Sequence, residues 1–94
     1  MNKLYLISEN AILEEVTEKQ CVVYHCDSGR FYELNEEATF ILKNFRTKCT
    51  ADDILNRIKE IVETESFDEQ QTQLVIKRFI QKCIDIKLLK EVNT

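Results

Sequence analysis

The hydrophobic pattern of this 94-residue chain changes its period once, close to residue 35. Before that point apolar residues such as Leu4, Leu6, Ile12 and Val16 alternate with other residues. Alternation places successive side chains on opposite faces of a strand, whereas the later spacing of three or four residues is typical of helices. We therefore predict strands within about residues 3–34 and helices within about residues 35–87.

The last two predicted strands form a hairpin. Residues 21–26 and 30–34 are rich in β-branched and aromatic types, and the only glycine, Gly29, lies between them. A glycine in a short loop between strand-like runs is typical of a β-hairpin. In the strand 30–34, Tyr32 and Leu34 share one face, and Phe31 and Glu33 share the other. A three-stranded meander would leave this strand at an open edge.

Each of the three predicted helices begins with a capping residue. Asn35 precedes Glu36 and Glu37, Thr50 is spaced as a capping box with Asp53, and Ser66 is spaced likewise with Glu69. The apolar stripes comprise Ala38, Ile41, Leu42 and Phe45; then Ile54, Leu55, Ile58, Ile61 and Val62; then Ile76, Phe79, Ile80 and Cys83. Leu88, Leu89 and Val92 are expected in a last turn and a short extended tail.

The order of strands followed by helices defines the expected fold. It predicts a single α+β domain over residues 1–94, with an N-terminal three-stranded antiparallel sheet packed on three helices. The helical part has the make-up of a winged helix-turn-helix, which is a fold and not yet a function.

Composition narrows the classes of function. The formal net charge of −4 and the isoelectric point near 5.0 argue against a nucleic-acid partner. The sequence has no long apolar run and no signal-peptide pattern at its start, so we expect no membrane partner and a cytoplasmic location.

Neither a metal site nor a catalytic constellation is expected. Cys21, His25 and Cys26 are the nearest approach to a ligand set, but no second cluster follows them. The four cysteines are better explained as reduced, packed thiols. The chain offers no nucleophile–base pair and no glycine-rich phosphate loop, so we expect neither a cofactor nor enzymatic activity.

Three segments in order resemble the PqqD-like family. They are Gly29-Arg30-Phe31-Tyr32-Glu33-Leu34-Asn35-Glu36-Glu37-Ala38 with Ile41-Leu42, then Thr50-Ala51-Asp52-Asp53-Ile54-Leu55, then Ile76, Phe79, Ile80 and Cys83 followed by Leu88-Leu89. The resemblance spans roughly residues 11–92. Two turns differ from the family pattern. Residues 46–49 replace an Asp-Gly turn, and Lys87 stands where the family often has glycine.

The resemblance implies a recognition element for ribosomally synthesised and post-translationally modified peptides (RiPPs). Such a stand-alone protein binds the leader of a precursor peptide and presents the precursor to a separate modifying enzyme, such as a radical-SAM maturase, a cyclase or a leader peptidase. In the family the leader adds as a strand to the third β-strand and lies against the third helix. The resemblance leaves open whether the chain is a monomer or a homodimer.

Strand addition needs an unpaired strand edge, and side chains beside that edge supply the specificity. The candidate peptide-binding residues are Arg30, Phe31, Tyr32, Glu33 and Leu34 of the last strand, with Gln71, Val75, Arg78, Phe79 and Lys82 of the third helix. Val75 and Phe79 would offer apolar pockets, and Arg78 and Lys82 would pair with leader carboxylates. Equally, Phe79 and Val75 could be plain core, and the two cations plain surface.

Two other functions remain open at this point. A winged-helix DNA-binding regulator would use the third helix, although Asp68, Glu69 and Asp85 dilute its basic residues. A structural or assembly subunit would pair through the same sheet edge and thereby block a leader.

Overall fold

The computed structural model describes residues 3–62 and 67–92 and confirms an α+β fold with three helices and antiparallel sheets. The strands are β1 (Leu4–Ile7), β2 (Ala11–Thr17), β3 (Gln20–His25), β4 (Arg30–Leu34) and β5 (Leu89–Val92). The helices are α1 (Glu36–Lys43), α2 (Ala51–Ile61) and α3 (Glu69–Asp85), with a 3₁₀ turn (Asn44–Arg46) after α1.

The strands form two sheets rather than the one that the sequence predicts. Strands β2, β3 and β4 make an antiparallel meander in that order. Strand β1 instead pairs with β5, from Leu4 opposite Val92 to Ile7 opposite Leu89. After the predicted last turn, the short extended tail is therefore a strand paired with β1, and the burial of Leu88 and Leu89 anchors it.

The β3–β4 hairpin forms as predicted around Gly29. The φ angle of Gly29 is 72°, in the left-handed region, where a residue with a side chain would be strained. The Gly29 N–H donates to the His25 carbonyl at 2.8 Å, which closes the loop.

Two of the three predicted caps are confirmed. The Asn35 side chain accepts from the Ala38 N–H at 2.9 Å. Thr50 and Asp53 form a reciprocal capping box. The third cap differs, because Asp68 accepts from the Gln71 N–H at 3.0 Å and thus takes the N-cap position of α3. Ser66, the predicted cap, lies outside the described residues.

The core lies where the helices meet the inner faces of both sheets. Its fully buried members include Val23, Leu42, Phe45, Ile54 and Ile76. Helices α2 and α3 pack against each other, and α3 also contacts β5. Within residues 3–62 and 67–92, no helix is long and apolar enough to cross a membrane.

Candidate peptide-binding site

Strand β4 is an outer strand of the meander. It pairs with β3 from Arg30 opposite His25 to Leu34 opposite Cys21. No strand in the described part of the chain pairs with its other side. One side of β4 is thus an open edge.

The register identifies which backbone groups line that open edge. The Cys26 N–H donates to the Asn10 carbonyl at 2.8 Å, so the even-numbered positions of β3 face β2. Because the direction alternates along an antiparallel strand, the odd-numbered positions face β4. The β4 residues opposite these positions are Arg30, Tyr32 and Leu34. Their N–H and C=O groups therefore point toward β3. The N–H and C=O groups of Phe31 and Glu33 therefore point to the open side.

Thr39 fixes the C-terminal end of β4 between β3 and α1. Its side chain is 1% exposed. The hydroxyl accepts from the Cys21 N–H at 3.1 Å and lies 3.4 Å from the Leu34 carbonyl, to which it donates. This role of Thr39 could not be predicted from the sequence, because no pattern distinguishes a threonine that forms a buried polar bridge from one at the surface of an amphipathic helix.

The two faces of β4 have different surroundings. On the inner face, Tyr32 and Leu34 are half-buried and pack against the core. On the outer face, Phe31 is 69% exposed. Its ring lies 4.8 Å from that of Tyr24, its neighbour on β3. Arg30 and Glu33 are exposed.

The predicted residues of α3 separate into two environments. Phe79 is half-buried and packs against the same core as Tyr32 and Leu34. Gln71, Val75, Arg78 and Lys82 are exposed. The core-facing stripe of α3 consists of Ile76, Ile80 and Cys83.

A groove of about 1250 Å³ lies between α1, the end of α2 and the first half of α3. Of the ten predicted site residues, Gln71 and Val75 line it, whereas the β4 residues, Arg78, Phe79 and Lys82 do not. Asn35, which directly follows Leu34, also lines the groove, as do Glu18 and Lys19 of the turn between β2 and β3. The groove therefore lies beside the end of the meander at which β4 ends.

The apolar wall of this groove includes residues that the sequence analysis did not assign to the site. They are Phe40, Ile58, Ile61, Val62 and Phe67. Ile61 is 65% exposed although it belongs to the apolar stripe of α2. That exposure beside an apolar wall suits a ligand surface better than a core. The apolar stripe of α2 is wider than core packing requires, and that excess width is the sequence signal that could have identified this wall of the groove.

Ion pairs join the sheet to the helices beside the groove. Glu15 of β2 lies 3.0 Å from the Lys43 ammonium and 3.1 Å from the Arg46 guanidinium. The hydrogen bond and charge of Lys43, and then those of Arg46, hold the pKa of the Glu15 carboxyl below its usual range. Lys19 lies 4.0 Å from Glu36 on the groove rim.

The cysteines and the histidine form no reactive cluster in the described part of the chain. Cys21 and His25 lie on the buried face of β3, whereas Cys26 is exposed. Burial raises the pKa of the Cys83 thiol to about 12, so this thiol stays protonated near neutral pH. Across residues 3–62 and 67–92, no group of three or more His, Cys, Asp or Glu residues could hold a metal ion.

A solved structure shares this fold. The structure of TbiB1 in complex with the TbiA(beta) leader peptide aligns with a TM-score of 0.75 over 95% of this chain and 99% of that one, at 16% identity. Comparison with protein-family models finds no match. No curated protein sequence matches the chain either. The likeness establishes that the chain has the fold of a protein whose structure holds a leader peptide.

Proposed function

We propose that this chain is a RiPP recognition element that binds the leader of a precursor peptide by strand addition to β4. The observation that carries the proposal is the open edge formed by the backbone of Phe31 and Glu33. Backbone hydrogen bonds to such an edge give affinity for an extended peptide. The fold shared with TbiB1, whose structure contains a leader peptide, supports the same conclusion.

The leader extends from the edge into the groove. In a leader strand antiparallel to β4, the N-terminal residues lie beside the Leu34 end of β4. At that end, Asn35 forms part of the groove wall. Leader side chains on the inner face contact Tyr32, Leu34 and Phe79. Gln71 and Val75 then contact leader residues within the groove. Buried apolar contacts of this kind supply most of the affinity.

The exposed cations of α3 have a smaller role in this proposal. Arg78 and Lys82 pair with leader carboxylates, and each exposed pair contributes about 0–1 kcal/mol. The hairpin β3–β4 acts as the wing of a winged helix-turn-helix that includes α2 and α3. The leader occupies the space beside the wing.

The protein acts by positioning and performs no chemistry of its own. It presents the precursor to a separate peptide-modifying enzyme and raises the effective concentration of the core peptide there, up to roughly the millimolar range for a short tether. It uses no cofactor, because backbone hydrogen bonds, apolar contacts and ion pairs from the chain's own residues hold the leader.

Replacing Glu33 tests the proposal, because its N–H points to the open edge and not to β3. Glu33→Pro removes that donor while leaving the pairs with β3 in place, as proline permits at an edge strand. Glu33→Ala removes the side chain and keeps the donor, so it is the matched control. For a precursor leader peptide that the wild-type protein binds, we expect Glu33→Pro to weaken binding at least tenfold relative to Glu33→Ala, or roughly 1.4 kcal/mol.

Fluorescence anisotropy of the labelled leader measures both affinities, and circular dichroism confirms that both variants are folded. Equal leader affinity of the two folded variants would show that the edge of β4 does not receive the peptide.

A further inference from the structure

The outer face of β4 carries two exposed side chains that the inner-face contacts leave unused. Phe31 and Glu33 lie on this face, and their backbone groups are the ones that point to the open edge. The same two residues therefore present both the hydrogen-bonding groups and the side chains nearest to an added strand. This inference rests on the proposed strand addition and concerns which leaders the strand accepts.

Geometry determines where the leader side chains go. In an antiparallel pair, residues that exchange hydrogen bonds lie directly opposite each other and project to the same face. Leader residues opposite Phe31 and Glu33 therefore lie on the outer face, with Cβ atoms about 5 Å from those of their partners. If the leader strand runs antiparallel to β4, the leader residue facing Glu33 precedes the one facing Phe31 by two positions.

The chemistry at the Phe31 position is apolar. The row across this face is Ile12, Tyr24 and Phe31, one from each strand of the meander. Tyr24 contacts the Phe31 ring from the β3 side, at 4.8 Å between ring centroids. The side of the ring toward the open edge remains available, and Phe31 is 69% exposed. An aromatic or branched apolar leader residue would cover it.

The chemistry at the Glu33 position is anionic. The next row is Glu14, Val22 and Glu33. Neither glutamate forms an ion pair within residues 3–62 and 67–92. Two carboxylates on one face disfavour face-to-face packing of a second copy, because identical charges would meet. They favour a basic leader residue opposite Glu33, since opposite charges stabilise cross-strand pairs.

We propose that the outer face of β4 selects leaders in which Lys or Arg precedes an aromatic or branched apolar residue by two positions. Glu33 recognises the basic side chain, and Phe31 recognises the apolar one.

A charge-reversal experiment tests this selectivity with peptides that the protein itself selects. A displayed library of random linear peptides is selected on the immobilised protein. One enriched peptide is then synthesised in two versions. They carry Lys or Glu two residues before the apolar residue that the selection enriches. We expect the wild-type protein to prefer the Lys peptide about two- to fivefold, and Glu33→Lys to prefer the Glu peptide by a similar factor.

Matched controls lie in the same rows on the distant strand β2. Glu14→Lys makes the same charge change away from the edge, so it should keep the preference of the wild type for Lys. Phe31→Thr should reduce the enrichment of apolar residues at the second position, and Ile12→Thr should not. An unchanged preference in Glu33→Lys, or an equal change in Glu14→Lys, would overturn the inference.

The proposed function has a separate outcome in the same experiment. If Glu33→Pro abolishes binding of the enriched peptides but no charge switch is seen, only the outer-face selectivity is refuted. If the library yields no binder, or if its binders are insensitive to Glu33→Pro, the proposed strand addition fails and the selectivity fails with it.

Discussion

Thr39 shows how one buried hydroxyl can hold an edge strand in place. It joins the Cys21 N–H of β3 and the Leu34 carbonyl of β4 from a position on α1. Cys21 is itself fully buried, so its N–H has no access to water as an alternative acceptor. The hydroxyl therefore satisfies a donor that would otherwise be costly to bury.

Replacing Thr39 with valine should destabilise the protein. Valine has nearly the same shape but cannot accept from the Cys21 N–H, and leaving that donor unsatisfied costs about 1–3 kcal/mol. Urea unfolding measures the loss, and Thr39→Ser, which keeps the hydroxyl, should lose less. A valine variant as stable as the wild type would mean that the hydroxyl contributes nothing to stability.

The C-terminal end of α3 forms one of the two turns that depart from the PqqD-like sequence pattern. Lys87 adopts a φ of 65°. Its N–H donates to the Ile84 carbonyl, and the Leu88 N–H donates to the Cys83 carbonyl at 2.8 Å. These two bonds define a Schellman motif, in which glycine is the favoured residue at the left-handed position. The lysine thus accepts a strained conformation that places Leu88 and Leu89 in the core.

Lys87→Gly should stabilise the protein. Removing the side chain relieves the strain of the left-handed conformation. Because glycine also raises the entropy of the unfolded chain, the net increase in the free energy of unfolding is about 1 kcal/mol. The matched control is Lys77→Gly, in the middle of the same helix. This variant should have a free energy of unfolding about 1 kcal/mol lower than that of the wild type. Thermal unfolding compares the two, and a loss in both variants would contradict the strain at Lys87.

The elements that the sequence predicts well are those with local causes. Asn35, Thr50 and Gly29 each act within a few residues, and the structure confirms all three. The pairing of β1 with β5 could not be predicted in this way, because it joins the two ends of the chain and Leu88-Leu89 is too short to show a period.

The candidate site was predicted only in part, for a related reason. Residue spacing identifies the faces of β4 and α3 but not how helices pack around them. Gln71 and Val75 line a groove formed with α1 and α2, which comes near β4 only beside its Leu34 end.

Ion pairs join segments that lie far apart in the sequence. Glu15 joins β2 to Lys43 of α1 and to Arg46. Lys90 of β5 pairs with Glu9, between β1 and β2, and holds the pKa of the Glu9 carboxyl below its ordinary value. A lowered carboxyl pKa means that the folded state favours the ionised form. The resulting stability is present above the unfolded-state pKa and is lost as the pH falls through the folded-state pKa.

Glu15→Gln should therefore be less stable than the wild type near neutral pH, and the difference in stability should shrink as the pH falls below 4.5 and through the lowered folded-state pKa of Glu15. The ordinary pKa of 4.5 marks the upper end of the window in which the difference fades. Urea unfolding of both proteins from neutral to acidic pH measures this difference in the free energy of unfolding. Glu14→Gln is the control, since Glu14 has no ion pair in residues 3–62 and 67–92. A difference that persists in acid would refute the electrostatic cause.

In the proposed complex, a leader peptide adds to β4 beside the groove. An NMR titration of the isotopically labelled protein with candidate precursor leader peptides detects such strand addition residue by residue. We expect saturable amide shifts concentrated in residues 30–34 and 71–82, with the N–H groups of Phe31 and Glu33 becoming protected from solvent exchange. Saturable shifts confined to other surfaces, or no shifts at high micromolar leader, would contradict this proposal.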